Sequence, residues 1–80
     1  MSNDINKLES IFADALGIPE NEVVADLEYN SIPQWDSIAH MRLISAIEDV
    51  YDIMIDTEDV IGMSSVSIAK DIVKKYVEHA

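Results

Sequence analysis

The sequence predicts an all-α fold: a small four-helix bundle of three long helices and one short one, with a long loop between helices 1 and 2. Three observations predict it. Apolar residues recur at three- and four-residue steps in three separate stretches, the spacing that gathers them on one face of a helix. Only two glycines and two prolines punctuate the chain, too few for the turns of a many-stranded sheet. Cysteine is absent, so disulfides and thiolate metal sites are excluded and stability must come from apolar packing, which the 49% hydrophobic content can supply. Eighty residues make one domain, 1–80, near the low end of what folds alone.

The first helix is expected over about residues 4–16, with Asn3 or Asp4 as its cap. Ile5, Leu8, Ile11, Phe12, Ala15 and Leu16 form its stripe, Gly17 is a natural left-handed terminator, and Pro19 blocks continuation. Residues 17–35 make a long connection whose apolar points, Ile18, Val23, Val24, Leu27, Tyr29 and Ile32, can pin it down. Asp36 is the best N-cap in the chain. It opens a second helix over about 37–51, with Ile38, Met41, Ile44, Ile47, Val50 and Tyr51 on one face, Leu43 alongside, and Asp52 at its end. Asp56 or Thr57 can cap a short helix over about 57–61 that stops at Gly62. Ser64 or Ser65 caps the last helix, whose stripe reads Ile68, Ile72, Val73, Tyr76 and Val77, with Lys70, Lys74 and Lys75 toward its C-terminus, where positive charge suits the helix dipole.

Charge and composition narrow the function. Sixteen acidic residues against five basic ones leave a net charge of -11. That field repels nucleic acid and anionic membrane and draws in basic protein surfaces. The polar start Met1-Ser2-Asn3-Asp4 has none of the pattern of a signal peptide, and the apolar stretch Ile53-Met54-Ile55 is far too short to cross a bilayer. A soluble, cytoplasmic, monomeric protein is the expectation, without nucleic acid or membrane insertion.

Catalytic constellations are scarce. His40 and His79 lie on different helices without ligand spacing, and there is no Gly-rich phosphate loop or nucleophile elbow. The acidic run from Asp49 to Asp59 lacks the alternating ligands and the glycine of a calcium loop, so no metal site is expected. Neither a catalytic residue nor an enzyme activity is expected. What remains is Trp35-Asp36-Ser37-Ile38. A serine in the first turn of a helix stands beside unpaired amides and the positive end of the dipole, where an attached phosphate is stabilised. Taken alone, Asp36-Ser37 is ordinary capping chemistry.

From Pro33 to Val73 the chain resembles the acyl carrier protein family, which includes peptidyl and aminoacyl carrier domains. The family's Asp-Ser-Leu attachment motif stands here as Asp36-Ser37-Ile38. Downstream, Ile47-Glu48-Asp49-Val50-Tyr51-Asp52-Ile53, a short acidic segment and a last helix follow at the matching spacing. The resemblance implies that Ser37 carries a covalent 4′-phosphopantetheine from coenzyme A, with an acyl or aminoacyl cargo held as a thioester. It implies a phosphopantetheinyl transferase, and loading and transfer enzymes with basic docking surfaces, as partners. Asp36 would also help that transferase hold its metal ion.

Ile38 and Met41 become exposed apolar contacts beside the arm, though Met41 serves equally as core filler. Glu48, Asp49, Glu58 and Asp59 become an acidic docking face. His40 and Arg42 depart from the acidic pattern common in fatty-acid carriers. They put potential positive charge on the first turns of the recognition helix, which together with Trp35 suggests a stand-alone carrier of a specialised pathway (lipid, polyketide or secondary-metabolite). Trp35 is equally a loop anchor packed on the last helix. The alternative function is an acidic interaction module with the carrier fold that is never modified.

Overall fold

A computed structural model describes residues 7–78. Four helices follow in order: α1 (Lys7–Leu16), α2 (Ser37–Tyr51), α3 (Thr57–Gly62) and α4 (Val66–Glu78), with a 3₁₀ turn at Glu20–Glu22 in the long loop. The expected caps Asn3 and Asp4, the start of the first helix with Ile5, and His79 lie outside the described residues. No strand forms among the described residues. A single bridge joins Glu28 to Ser65.

Two helices end in the same way. Gly17 takes φ 69°, and its amide and that of Ile18 both donate to the Ala13 carbonyl, at 2.9 and 3.1 Å. Asp52 takes φ 57° at the end of α2, and its amide and that of Ile53 converge on the Glu48 carbonyl. Each left-handed residue turns the chain back so that the last carbonyls find donors. Ile18 is then buried, and Ile53 packs against the core.

The long loop is ordered by backbone bonds to the start of α4. Tyr29 N donates to Ser64 O at 2.9 Å, Val66 N to Leu27 O at 3.0 Å and Ser67 N to Ala25 O at 3.1 Å. Two first-turn amides of α4 thus find loop carbonyls as acceptors. A third, Ile68 N, takes the Ser65 hydroxyl, so Ser65 is the cap. Asp56 occupies the cap position of α3 but makes no side-chain cap bond.

Leu8, Phe12, Trp35, Leu43, Ile47, Met63, Val66 and Val73 are the large residues at the centre of one core. Two expected stripes are corrected in register. On α2 the buried set is Ala39, His40, Leu43, Ile44 and Ile47, while Ile38, Met41 and Val50 face solvent. On α4 Val66, Ala69 and Val73 are buried and Ile68 is exposed. Both helices carry apolar residues on more than the core face, so periodicity alone cannot select the buried stripe. The short helix includes Gly62 instead of stopping before it.

Candidate functional site

The site begins where α2 begins. Asp36 sits in extended backbone, φ −103°, and its carboxylate accepts from the Ala39 amide at 2.9 Å. That bond satisfies one orphan donor and fixes the first turn. Ser37 follows as the first helical residue and is exposed. No described residue hydrogen-bonds its hydroxyl. Next to it opens a cleft of about 300 Å³, lined by Tyr29, Ser37, His40 and Met41 on one side and Val60, Ile61 and Met63 on the other. Apart from the two ring-bearing polar residues and the serine, the lining is aliphatic or thioether. Ile61 in the lining is 78% exposed, and Ile38, next to Ser37 in the chain, is 69% exposed, so apolar surface is open to solvent here.

Beneath this surface lies an aromatic knot. Trp35 is fully buried, edge-on to Phe12 of α1 at 5.2 Å between ring centres, edge-on to Tyr29 at 6.1 Å, and stacked on His40 at 6.0 Å. Its ring contacts are with Phe12 of α1, Tyr29 of the long loop and His40 of α2, and it shares one core with Val66, Ala69 and Val73 of α4. The expectation of charge at His40 is corrected. Its ring is buried, with Trp35 Nε1 donating to Nδ1 at 3.0 Å and Nε2 lying 2.8 Å from the Val60 carbonyl. An indole N–H can only donate and a carbonyl can only accept, so Nδ1 is bare and Nε2 carries the hydrogen. His40 is therefore a neutral crosslink between Trp35 and α3, and it does not present positive charge to partners.

The other expected docking residues divide. Met41 is 59% exposed and lines the cleft, which decides against core filler. Asp49 and Glu58 are exposed. Arg42 is exposed but its Nη1 reaches the Ala15 carbonyl, 3.5 Å away, at the end of α1, where a cation complements the dipole. Glu48 Oε2 accepts from the Ile55 amide at 2.9 Å, which fastens the segment after α2. Asp59 binds the Tyr76 hydroxyl at 2.5 Å and Lys75 at 2.9 Å, tying α3 to α4. Those bonds, Tyr76 first and Lys75 second, hold the Asp59 carboxyl below its ordinary 3.8. The same contact with Asp59 raises both Lys75 and Tyr76 above their ordinary values. Glu48 and Asp59 therefore hold the fold together as well as carrying charge.

Val60, Ile61 and Met63 line the cleft without having been singled out from the sequence, and Tyr29 was read only as an apolar point of the long loop. Tyr29 and Met63 lie in irregular segments where no period points, and Val60 and Ile61 sit in a helix too short to show one. Among the described residues no three His, Asp or Glu side chains gather as a metal set, and no helix is long and apolar enough to cross a membrane.

A helical bundle that offers an unengaged serine hydroxyl at a capped helix start, beside an apolar cleft, defines a scaffold for an attached group. Residues 6–69 match the family described as phosphopantetheine attachment site. The chain is 32% identical over 77 residues to the acyl carrier protein of Buchnera aphidicola subsp. Baizongia pistaciae, covering 96% of this chain and 99% of that one. It is 27% identical over 78 residues to that of Karelsulcia muelleri, covering 98% and 94%. The solution structure of the holo acyl carrier protein from Geobacter metallireducens superposes with a TM-score of 0.83 at 24% identity, covering 98% of this chain and 90% of that one, and shares the fold.

The chain belongs to the acyl carrier protein family. Its function is to carry acyl groups on 4′-phosphopantetheine, which is held covalently. Members of the family are carriers, not catalysts, and they work with a phosphopantetheinyl transferase and with acyl-handling enzymes. The residues present fit this group. The exposed Ser37 hydroxyl is open to a transferase, the α2 N-terminus favours a phosphate, and the cleft offers apolar surface beside it.

Proposed function

We propose that Ser37 is the attachment residue, that residues 1–80 form one carrier domain, and that the cargo is an acyl or aminoacyl thioester presented to partner enzymes. The observation that carries this reading is the uncommitted, exposed Ser37 hydroxyl in the first turn of α2, with Asp36 occupied as the cap. When bound, the arm supplies a terminal thiol, which a chain without cysteine otherwise lacks. Asp36 holds the first turn in place so that the hydroxyl stands clear of the backbone. The first-turn amides and dipole favour the phosphate that remains on the serine oxygen.

Docking falls to Ile38, Met41 and the exposed Asp49 and Glu58, with Arg42, Glu48 and Asp59 contributing charge from positions already tied to the fold. Partners with basic surfaces suit the net charge of -11. The chain itself catalyses nothing and acts as a cytoplasmic monomer.

The test is to incubate the unmodified protein with coenzyme A and a broad-range phosphopantetheinyl transferase and to read the intact mass. One added phosphopantetheine, lost in Ser37→Ala, is the expected result. An unchanged mass favours the unmodified interaction module.

A further inference from the structure

α3 is six residues long and none of its side chains is fully buried. A helix this short has little stability of its own, so something else must hold it at the cleft. Three side chains from other helices do so, Tyr76 and Lys75 of α4 toward its start and His40 of α2 at its finish. At the start, the Asp56 amide donates to the Tyr76 hydroxyl of α4 at 2.9 Å, and Asp59 accepts from the same hydroxyl. At the finish, His40 of α2 donates to the Val60 carbonyl at 2.8 Å. That carbonyl lies in the last turn, where the helix offers it only a long bond of 3.4 Å from the Met63 amide. His40 is thus a C-terminal cap supplied from a neighbouring helix. Its ring is aimed from behind by the Trp35 indole, bonded to Nδ1 in the buried core.

The same residues face the attachment serine. Ser37, His40 and Met41 form the α2 wall of the cleft, and Val60 and Ile61 form the α3 wall. The bond from His40 to Val60 is the hydrogen bond joining those two walls among the described residues. We propose that His40 is a positioning residue for the cargo: the Trp35–His40–Val60 relay sets the separation of α2 and α3 beside Ser37, and so sets what the cleft shelters. The proposal rests on Ser37 carrying the arm. Core packing holds α2 regardless. The relay holds the C-terminal end of α3, while Tyr76 and Lys75 hold its start.

Two measurements test it. In the unmodified protein, His40→Ala is expected to speed amide exchange at Asp59 and Val60 by about tenfold, the loss of one net hydrogen bond, and to leave Leu43 and Ile47 nearly unchanged. This readout needs no arm. The second uses protein loaded by the transferase with acetyl or hexanoyl phosphopantetheine and follows thioester cleavage by hydroxylamine. The parent is expected to protect the hexanoyl load better than the acetyl load, and His40→Ala to bring that ratio toward one.

His40→Gln keeps an acceptor and a donor and is expected to restore much of the ratio. Trp35→Phe keeps an aromatic core residue while removing the bond on Nδ1 and some core volume; with His40 still in place, a smaller change of the same sign is expected. It takes the place of His40→Ala where that variant does not fold. Unchanged exchange in α3, or an unchanged cleavage ratio in a folded His40→Ala or Trp35→Phe protein, overturns the proposal. Failure of the parent to accept any phosphopantetheine counts against the attachment at Ser37, and the exchange measurement still decides whether the relay holds α3.

Discussion

α2 and α3 wall the same cleft, yet they are held by opposite means. α2 is locally encoded: Asp36 starts it, Asp52 ends it in left-handed backbone, and Leu43, Ile44 and Ile47 anchor it in the core. α3 has no cap bond from its own Asp56 and no fully buried side chain, and it depends on Tyr76 and Lys75 reaching it from α4 and on His40 from α2. The contrast suits a carrier. The helix that carries Ser37 is fixed at both ends, while the opposite wall can shift at the cost of a few polar bonds.

The largest expected effect comes from the residue that serves both regions. Trp35→Ala empties the centre of the core and removes the donor that aims His40, at a cost of about 3–5 kcal/mol. A domain of this size holds roughly 4–12 kcal/mol in all. Chemical denaturation should therefore find the variant largely unfolded or barely folded, and a midpoint close to the parent's would mean the knot is peripheral.

Next is the local start of α2. Asp36→Ala is expected to cost about 0.5–2 kcal/mol, or roughly 4–8 °C in Tm per kcal/mol, because the Ala39 amide loses its acceptor. If α2 is locally encoded, exchange should quicken first at Ala39 and leave α3 behind. Acceleration in α3 ahead of α2 would reverse the contrast.

How much was legible follows the same division. The limits of α2, the turn at Gly17 and the placement of Ser37 at a capped helix start could all be read, because each depends on neighbours in sequence. Which face of α2 is buried could not, since Ile38 and Met41 are as apolar as Leu43 and differ only in facing the cleft and solvent. His40 was misread for a related reason. A histidine four residues after a cap looks like surface charge until Trp35 and Val60, five and twenty residues away, take its two nitrogens. The order in the long loop was legible in part: Ile18 and Val23 are buried and Leu27 and Ile32 pack against the core as expected, while the backbone bonds to residues 64–67 could not be read.

The two helix ends give a smaller test. Gly17 and Asp52 hold the same left-handed backbone, but only glycine does so without a Cβ penalty. Asp52 also places negative charge at the negative end of the α2 dipole. Asp52→Gly is expected to stabilise by about 0.5 kcal/mol, because relief of left-handed strain and of the repulsion with the dipole exceeds the unfolded-state entropy that glycine adds. Gly17→Ala is expected to destabilise by about 1 kcal/mol from backbone strain alone, since a Cβ there meets no atom within 4 Å. Thermal melts of the pair should move in opposite directions.

The smallest effect is the tie from α3 to α4, because Lys75 is largely exposed and water screens it. Its pH dependence has a definite sign. Asp59 has a folded value below its ordinary 3.8, so its contribution is complete above that value and is lost as pH falls through the lower one. Tyr76 and Lys75 are raised above 10.0 and 10.5, so their contribution is complete below those values and fades as pH climbs through the higher ones. Between the two edges the tie is intact. The Tm gap between the parent and Asp59→Asn should therefore be constant from pH 5 to pH 9 and close toward pH 2. Tyr76→Phe should narrow the same gap at neutral pH, because it takes away the stronger of the two bonds on Asp59. A gap that persists unchanged at pH 2 would mean that Asp59 holds α3 through contacts other than its charge.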